Sequence, residues 1–151
     1  MKRRMVIKAL PMAGIAPGLA AGVLGEALLA GRAEAAAGEV YELRVYSTAE
    51  GKLDDLLKRF REHTMAIFER HGIKNVGYWT PTDETGPYPN GKTLIYMLRH
   101  PSREAATANW KAFGEDPEWQ QVRAKSEEKG KIVEKVESTF MVMTDFSPKV
   151  G

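Results

Sequence analysis

The chain contains no cysteine. That excludes disulfides, thiolate metal sites, a cysteine nucleophile and a lipidated N-terminal cysteine. A basic surplus is also missing where a folded domain would need one to hold nucleic acid. Five of the 22 basic residues (Lys2, Arg3, Arg4, Lys8, Arg32) and two of the 20 acidic ones (Glu26, Glu34) precede Gly38, which leaves 17 against 18 beyond it. A remainder at about −1 cannot neutralise a run of phosphates, so no nucleic-acid partner is expected. No uninterrupted stretch of roughly 20 apolar residues exists, because Pro11, Pro17 and Glu26 break the one candidate, so no stable membrane anchor is expected. There is no HxxxH, no HExxH, no carboxylate cluster around a histidine and no glycine-rich phosphate loop, so a metal site is expected to be absent. No Ser-His-Asp set can be defended from spacing alone.

What is present divides into two unlike parts. Residues 1–37 open with Lys2, Arg3 and Arg4, continue through a weakly apolar run rich in Ala and Gly, and end in Ala33-Glu34-Ala35-Ala36-Ala37. This reads as a cleaved signal peptide with small residues at the spacing a signal peptidase accepts. The string RRMVIK resembles the twin-arginine export motif, so the protein is expected to be periplasmic or secreted. A cut after Ala35 or after Ala37 fits equally well. The rest, residues 38–151, is long enough for one domain.

In that domain Val40 to Tyr46 alternates as a strand does. Tyr41, Leu43 and Val45 form the expected core face, and Glu42, Arg44 and Tyr46 share the other with Val40. Ser47 and Glu50 stand at capping-box spacing. The helix they would open carries Leu53, Leu56, Leu57, Phe60, Thr64, Ile67 and Phe68 on one face, with His71 near the middle of the stripe and His63 at its edge. Lys58, Arg59, Arg61, Glu62, Glu69 and Arg70 form the expected solvated side. Gly72 is the stop.

A second strand follows over Ile73 to Thr80, ending near Trp79. Pro81 to Lys92 is a turn-rich connection that includes Asn90-Gly91. Thr93 to Arg99 reads as a central strand. Ser102 caps a helix bearing Ala105, Ala106, Trp110 and Phe113. Asp116-Pro117 is a cap followed by proline in the first turn of a short helix to Lys129. A last strand is expected at Thr139 to Thr144. The order is β-α-β-β-α-β with the second helix broken in two, the split βαβ pattern of an α+β, ferredoxin-like sandwich. One sheet face stays apolar enough to need a partner, and a second copy is the expected one.

The stretches YELRVY, KLDDLLKRFREHTMAIFERHGIKNVGYW, DPEWQ and DFSP resemble the NIPSNAP family over nearly all of Glu39 to Pro148. The resemblance implies a dimeric α/β barrel, similar to antibiotic-biosynthesis monooxygenases. It implies little about reaction, and some eukaryotic members are linked to mitochondrial quality control rather than catalysis. The positions that match the family pattern are Glu42, Arg44, Tyr46, His63, His71, Gly72, Trp79, Asp116, Pro117, Trp119, Phe146 and Pro148. His100, the leader and the Pro81 to Lys92 connection stand outside it.

Each candidate has a structural and a functional reading. Asp116, Pro117, Gly72 and Pro148 are explained as caps, stops and turns, and Trp119 as a packing anchor or a pocket wall. His63 is either hydrogen-bonded to Tyr, Ser or backbone, or in contact with a ligand. His71 can cap carbonyls at a helix end. Glu42 and Arg44 form either an ion pair across a dimer or a polar anchor for a substrate, with Tyr46 and Trp79 as aromatic walls. The ligand-binding set is therefore Glu42, Arg44, Tyr46, His63 and Trp79, with His63, Arg44 and Tyr46 as catalytic candidates.

The expected function is an exported homodimeric barrel that binds a small aromatic or apolar molecule and acts on it, if at all, without a cofactor. One alternative is a non-catalytic interaction module built on the Pro81 to Lys92 loop. Another is a haem-binding barrel with His63 or His71 as axial ligand.

Overall fold

The computed structural model describes residues 38–150, so the leader and its cleavage site lie outside the described part. Four antiparallel strands, β1 (Val40–Thr48), β2 (Lys74–Trp79), β3 (Thr93–His100) and β4 (Val133–Met141), form one sheet in the order β2-β3-β1-β4. Between β1 and β2 run three consecutive helical pieces: α1 (Leu53–Arg59), a π turn (Phe60–Thr64) and α2 (Met65–Arg70). Between β3 and β4 run α3 (Arg103–Glu115) and α4 (Pro117–Ser126). This is the ferredoxin-like α+β arrangement, with the second helix broken at Asp116.

The break has a local cause. Asp116 adopts extended backbone, and its Oδ1 accepts from the backbone N–H groups of Glu118 at 2.8 Å and Trp119 at 3.2 Å. Pro117 follows at the first helical position, where its missing N–H costs nothing. Ser102 caps α3 through the Ala105 N–H at 3.1 Å. The expected capping box fails at the first helix. β1 runs on to Thr48, α1 starts at Leu53, and Lys52 at its N-cap makes no side-chain cap. Strand pairing of Ser47 with Thr93 and Lys135 takes precedence over a local cap.

Both helical connections cover the same sheet face. Leu56, Phe60, Ile67, Phe68 and Phe113 from the helices bury themselves against Leu94, Tyr96 and Leu98 of β3. Each large side chain so removed from water contributes roughly 1.5–3 kcal/mol. The register places Glu42 opposite Leu98, Arg44 opposite Tyr96 and Tyr46 opposite Leu94. Paired residues share a face, so the polar side of β1 is the one beneath the helices. The helices thus cover the face opposite the expected one, although Tyr41 and Val45 of the expected face are buried as well. Leu43 and Val45 lie with Met97 and Ile95 on the far face, where Trp79 also sits opposite Ile95. The last strand begins six residues earlier than expected and ends at Met141. β4 is an edge strand exposing Lys135 and Ser138, so its first half lacks the apolar run that marks a buried strand.

The π turn was not expected, yet Leu56, Phe60, Thr64, Ile67 and Phe68 of the expected stripe are all buried. One wider turn with i to i+5 spacing rotates the following residues relative to an unbroken α-helix. Arg59, expected on the solvated side, is only 5% exposed, and Phe60 and Thr64 turn inward beside it. Thr64 Oγ1 donates to the Arg59 carbonyl at 3.2 Å. His63 swings the other way and is exposed. Gly72 then closes α2 at φ +74, as a left-handed stop requires.

Candidate functional site

The polar face of β1, roofed by α3, builds a buried hydrogen-bonded cluster. Glu42 is 1% exposed and fully engaged. Its Oε1 accepts from Arg44 Nη1 and Ser138 Oγ, both at 2.6 Å. Its Oε2 accepts from Trp110 Nε1 at 2.6 Å and lies 3.0 Å from His100 Nε2. Burial alone would raise the Glu42 pKa. The bonds from His100, Ser138 and Trp110, with the Arg44 charge, overcome it and lower the pKa to about 2. Glu42 is therefore a carboxylate whose acceptor sites are filled, which makes it a poor general base.

Arg44 extends the cluster toward the aromatic core. Its Nε donates to Tyr96 Oη at 3.0 Å and its Nη2 to Tyr46 Oη at 3.3 Å. The guanidinium lies 4.3 Å from the Trp110 ring centroid, a cation–π contact withdrawn from water. Burial lowers the Arg44 pKa and the neighbouring oxygens of Tyr96, Tyr46 and Glu42 raise it, with a net upward shift. Burial also raises the Tyr96 hydroxyl well above its ordinary value, so it stays protonated.

Tyr46 joins this cluster to a cavity. Its ring meets Phe60 edge-on at 6.0 Å and Tyr96 at 5.2 Å. Beyond it, between α1, the π turn, α4 and the start of β4, lies a cavity of about 310 Å³. Phe60, Phe68, Phe113 and Trp119 supply its aromatic walls, and Arg59, Arg123, Lys131, Glu127 and Glu134 its charged rim. Trp119 packs on Phe113 with centroids 4.6 Å apart, so the family-like tryptophan is both packing anchor and cavity wall. The volume is at the low end of what holds a small organic ligand.

The predicted site residues divide accordingly. Glu42, Arg44 and Tyr46 come together on β1, with Glu42 and Arg44 forming an ion pair of 2.6 Å within that strand. Trp79 does not join them. It is 52% exposed on the opposite face, its ring folded over Gly77 of its own strand. His63 lines an outer cleft of about 490 Å³ with Lys58, Glu62 and Gln121 rather than the helix–sheet interior. His71 Nε2 contacts Asp116 Oδ2 at 2.6 Å. Hydrogen bonds from Arg70 and His71 hold the Asp116 carboxyl well below the usual carboxylate range. Neither His63 nor His71 lines the aromatic cavity, so neither presents an axial imidazole to it. No group of three or more His, Asp or Glu side chains that could hold a metal ion occurs among the described residues.

Four members of the cluster escaped sequence reasoning: Tyr96, His100, Trp110 and Ser138. His100 is wholly buried, and its Nδ1 lacks a partner among the described residues. A histidine that ends an apolar strand beside a proline carried a weak signal of this role. Ser138 carried none, because only the ladder puts it opposite Arg44.

Comparison with known proteins agrees with this architecture. The NIPSNAP family profile matches residues 41–148. No curated protein matches the sequence. Among solved structures, a NIPSNAP family protein from Agrobacterium tumefaciens C58 is similar at 26% identity and TM-score 0.60, covering 73% of this chain and 97% of that one. A NIPSNAP-like domain protein from Burkholderia xenovorans, described as uncharacterized, gives TM-score 0.62 at 16% identity over 76% and 93% of the two chains. A second Agrobacterium tumefaciens NIPSNAP protein, described as of unknown function, gives 0.60 at 20% identity over 74% and 94%. With the profile match spanning most of the chain, this chain belongs to the NIPSNAP family.

Proposed function

We propose that this chain is an exported, homodimeric binding barrel that holds a small aromatic molecule in the cavity under Trp119, and that any chemistry there is cofactor-free. One observation carries the reading: the cavity of about 310 Å³ is walled by four aromatic side chains and lined also by Tyr46, whose hydroxyl accepts from Arg44. Phe68, Phe113 and Trp119 pack on one another with tilted rings, a continuous aromatic wall against which a flat ring can lie. Glu42 serves here as a positioning residue, holding Arg44 and through it Tyr46.

Dimerisation is supported by the far face of the sheet, where Leu43, Ile95, Met97 and Trp79 gather. Export is supported by the RRMVIK start and the Ala-rich end of the leader. The interaction-module reading draws on the largely exposed connection between β2 and β3. It predicts that deleting that loop abolishes partner binding while leaving the cavity intact.

The test uses the three tryptophans, which sit in three different places. Their indole N–H signals separate in a ¹H–¹⁵N spectrum. On titration with 2-naphthoate and 2-naphthamide, the Trp119 signal should shift with at least one compound while Trp79, on the far face, stays put. Shifts confined to Trp79, or no shift with either compound, would remove the cavity as the binding site.

A further inference from the structure

The cavity has a cationic element that aromatic recognition alone leaves unexplained. Arg59 is buried, with its guanidinium 5.3 Å from the Trp119 ring centroid. Only one end of it is satisfied: Nη1 donates to Ser126 Oγ at 3.2 Å and Glu127 Oε1 at 3.3 Å. Nε is shut off from solvent and has no partner among the described residues. Leaving a donor of a buried cation unfilled costs free energy, and an arginine fork presents its Nε and Nη2 on one edge. Arg59 lies immediately before the π turn, buried beside Phe60 and Thr64.

The surrounding charges define what could fill that edge. Arg59, Arg123 and Lys131 line the cavity against Glu127 and Glu134, and Glu127 is shared between Arg59 at 3.3 Å and Arg123 at 3.6 Å. One positive charge is therefore in excess. A singly charged planar group matches both that excess and the fork geometry, whereas a phosphate dianion would crowd the two glutamates.

We infer that the cavity is built for an aromatic carboxylate, its ring against the wall of Phe60, Phe68, Phe113 and Trp119 and its anionic group on the unfilled edge of Arg59. The inference rests on the cavity reading above and adds the charge class of the ligand. Because Nε is closed off from solvent, pairing turns the guanidinium within its packing, and the stacked Trp119 ring moves with it.

Titration calorimetry on the purified protein at pH 7 tests this with two ring-matched probes, 2-naphthoate and 2-naphthamide. The carboxylate should bind about tenfold tighter or more, the scale of one charge-assisted hydrogen bond. Arg59→Gln should erase that preference, the two probes then binding within about threefold of each other. If Arg59→Gln does not fold, Arg59→Lys keeps the charge without the fork, and the preference should fall at least threefold. Equal affinity for the two probes in the wild type, or preference for the amide, overturns the anionic class while the cavity reading stands. A preference that survives at Arg59 variants overturns the anchor. Binding of neither probe sinks the cavity reading itself.

Discussion

Replacing Glu42 by glutamine removes one charge from the best-satisfied carboxylate in the fold and leaves its shape in place. The carboxylate accepts from three donors at 2.6 Å, with His100 Nε2 at 3.0 Å, and its pKa is held at about 2 against an ordinary 4.5. That difference corresponds to about 3 kcal/mol of linked stability at neutral pH. Breaking a buried ion pair from one side gives a similar figure, about 3–5 kcal/mol. The glutamine amide also turns two donors toward Trp110, His100, Ser138 or Arg44, which are donors themselves.

The sign follows from the lowered pKa. A depressed carboxylate stabilises the fold above its unfolded pKa and loses that contribution as pH falls from about 4.5 through about 2. Urea unfolding of wild type and Glu42→Gln at several pH values should therefore give a gap of about 3 kcal/mol at pH 7. The gap should narrow steadily below pH 4.5 and be nearly closed at pH 2. A gap under about 1 kcal/mol at pH 7, or one independent of pH across that window, would refute the view of Glu42 as a tightly held buried anion.

Other substitutions probe neighbouring features. Phe68→Ala removes a ring in contact with Phe60, Trp110 and Phe113 and should cost about 3–5 kcal/mol in urea unfolding; a loss below about 1 kcal/mol would contradict its central place in the core. Gly72→Ala imposes a side chain at φ +74, with its Cβ 3.0 Å from Asn109 Nδ2, and should destabilise by about 1–2 kcal/mol; a neutral result would refute the left-handed stop. At Asp116, alanine should lower the urea midpoint more than asparagine, which keeps the cap on α4 but loses the charge facing Arg70 and His71. Gly77→Ala would place a Cβ 2.5 Å from Trp79 Cη2, so the half-exposed ring should swing away, visible as a changed Trp79 indole shift with little loss of stability.

The order of elements was legible because it rests on short-range signals. Ser102 and Asp116 cap their helices as their positions suggest, Gly72 stops the first, and Thr93 to Arg99 is a central strand. The site was half legible. The alternation of β1 put Glu42, Arg44 and Tyr46 on one face, and that grouping holds, but alternation cannot say which face the helices cover. The pattern favoured Tyr41, Leu43 and Val45 by hydrophobicity. Tyr41 and Val45 are indeed buried, but the helices cover the charged face, where Trp110, His100 and Ser138 arrive from distant parts of the chain to satisfy Glu42. Arg59 and His63 depart from their expected faces: Arg59 is buried just before the π turn and His63 is exposed within it, while Phe60, Thr64, Ile67 and Phe68 stay inward as the stripe predicts.

Native mass spectrometry of the protein recovered from the exported fraction, followed by its denatured mass, tests the account most directly. The account predicts a dimer of chains beginning near Ala36 or Gly38. It should carry additional non-covalent mass that leaves on denaturation and belongs to a small aromatic acid. A full-length, bare monomer would contradict export, dimerisation and ligand binding together.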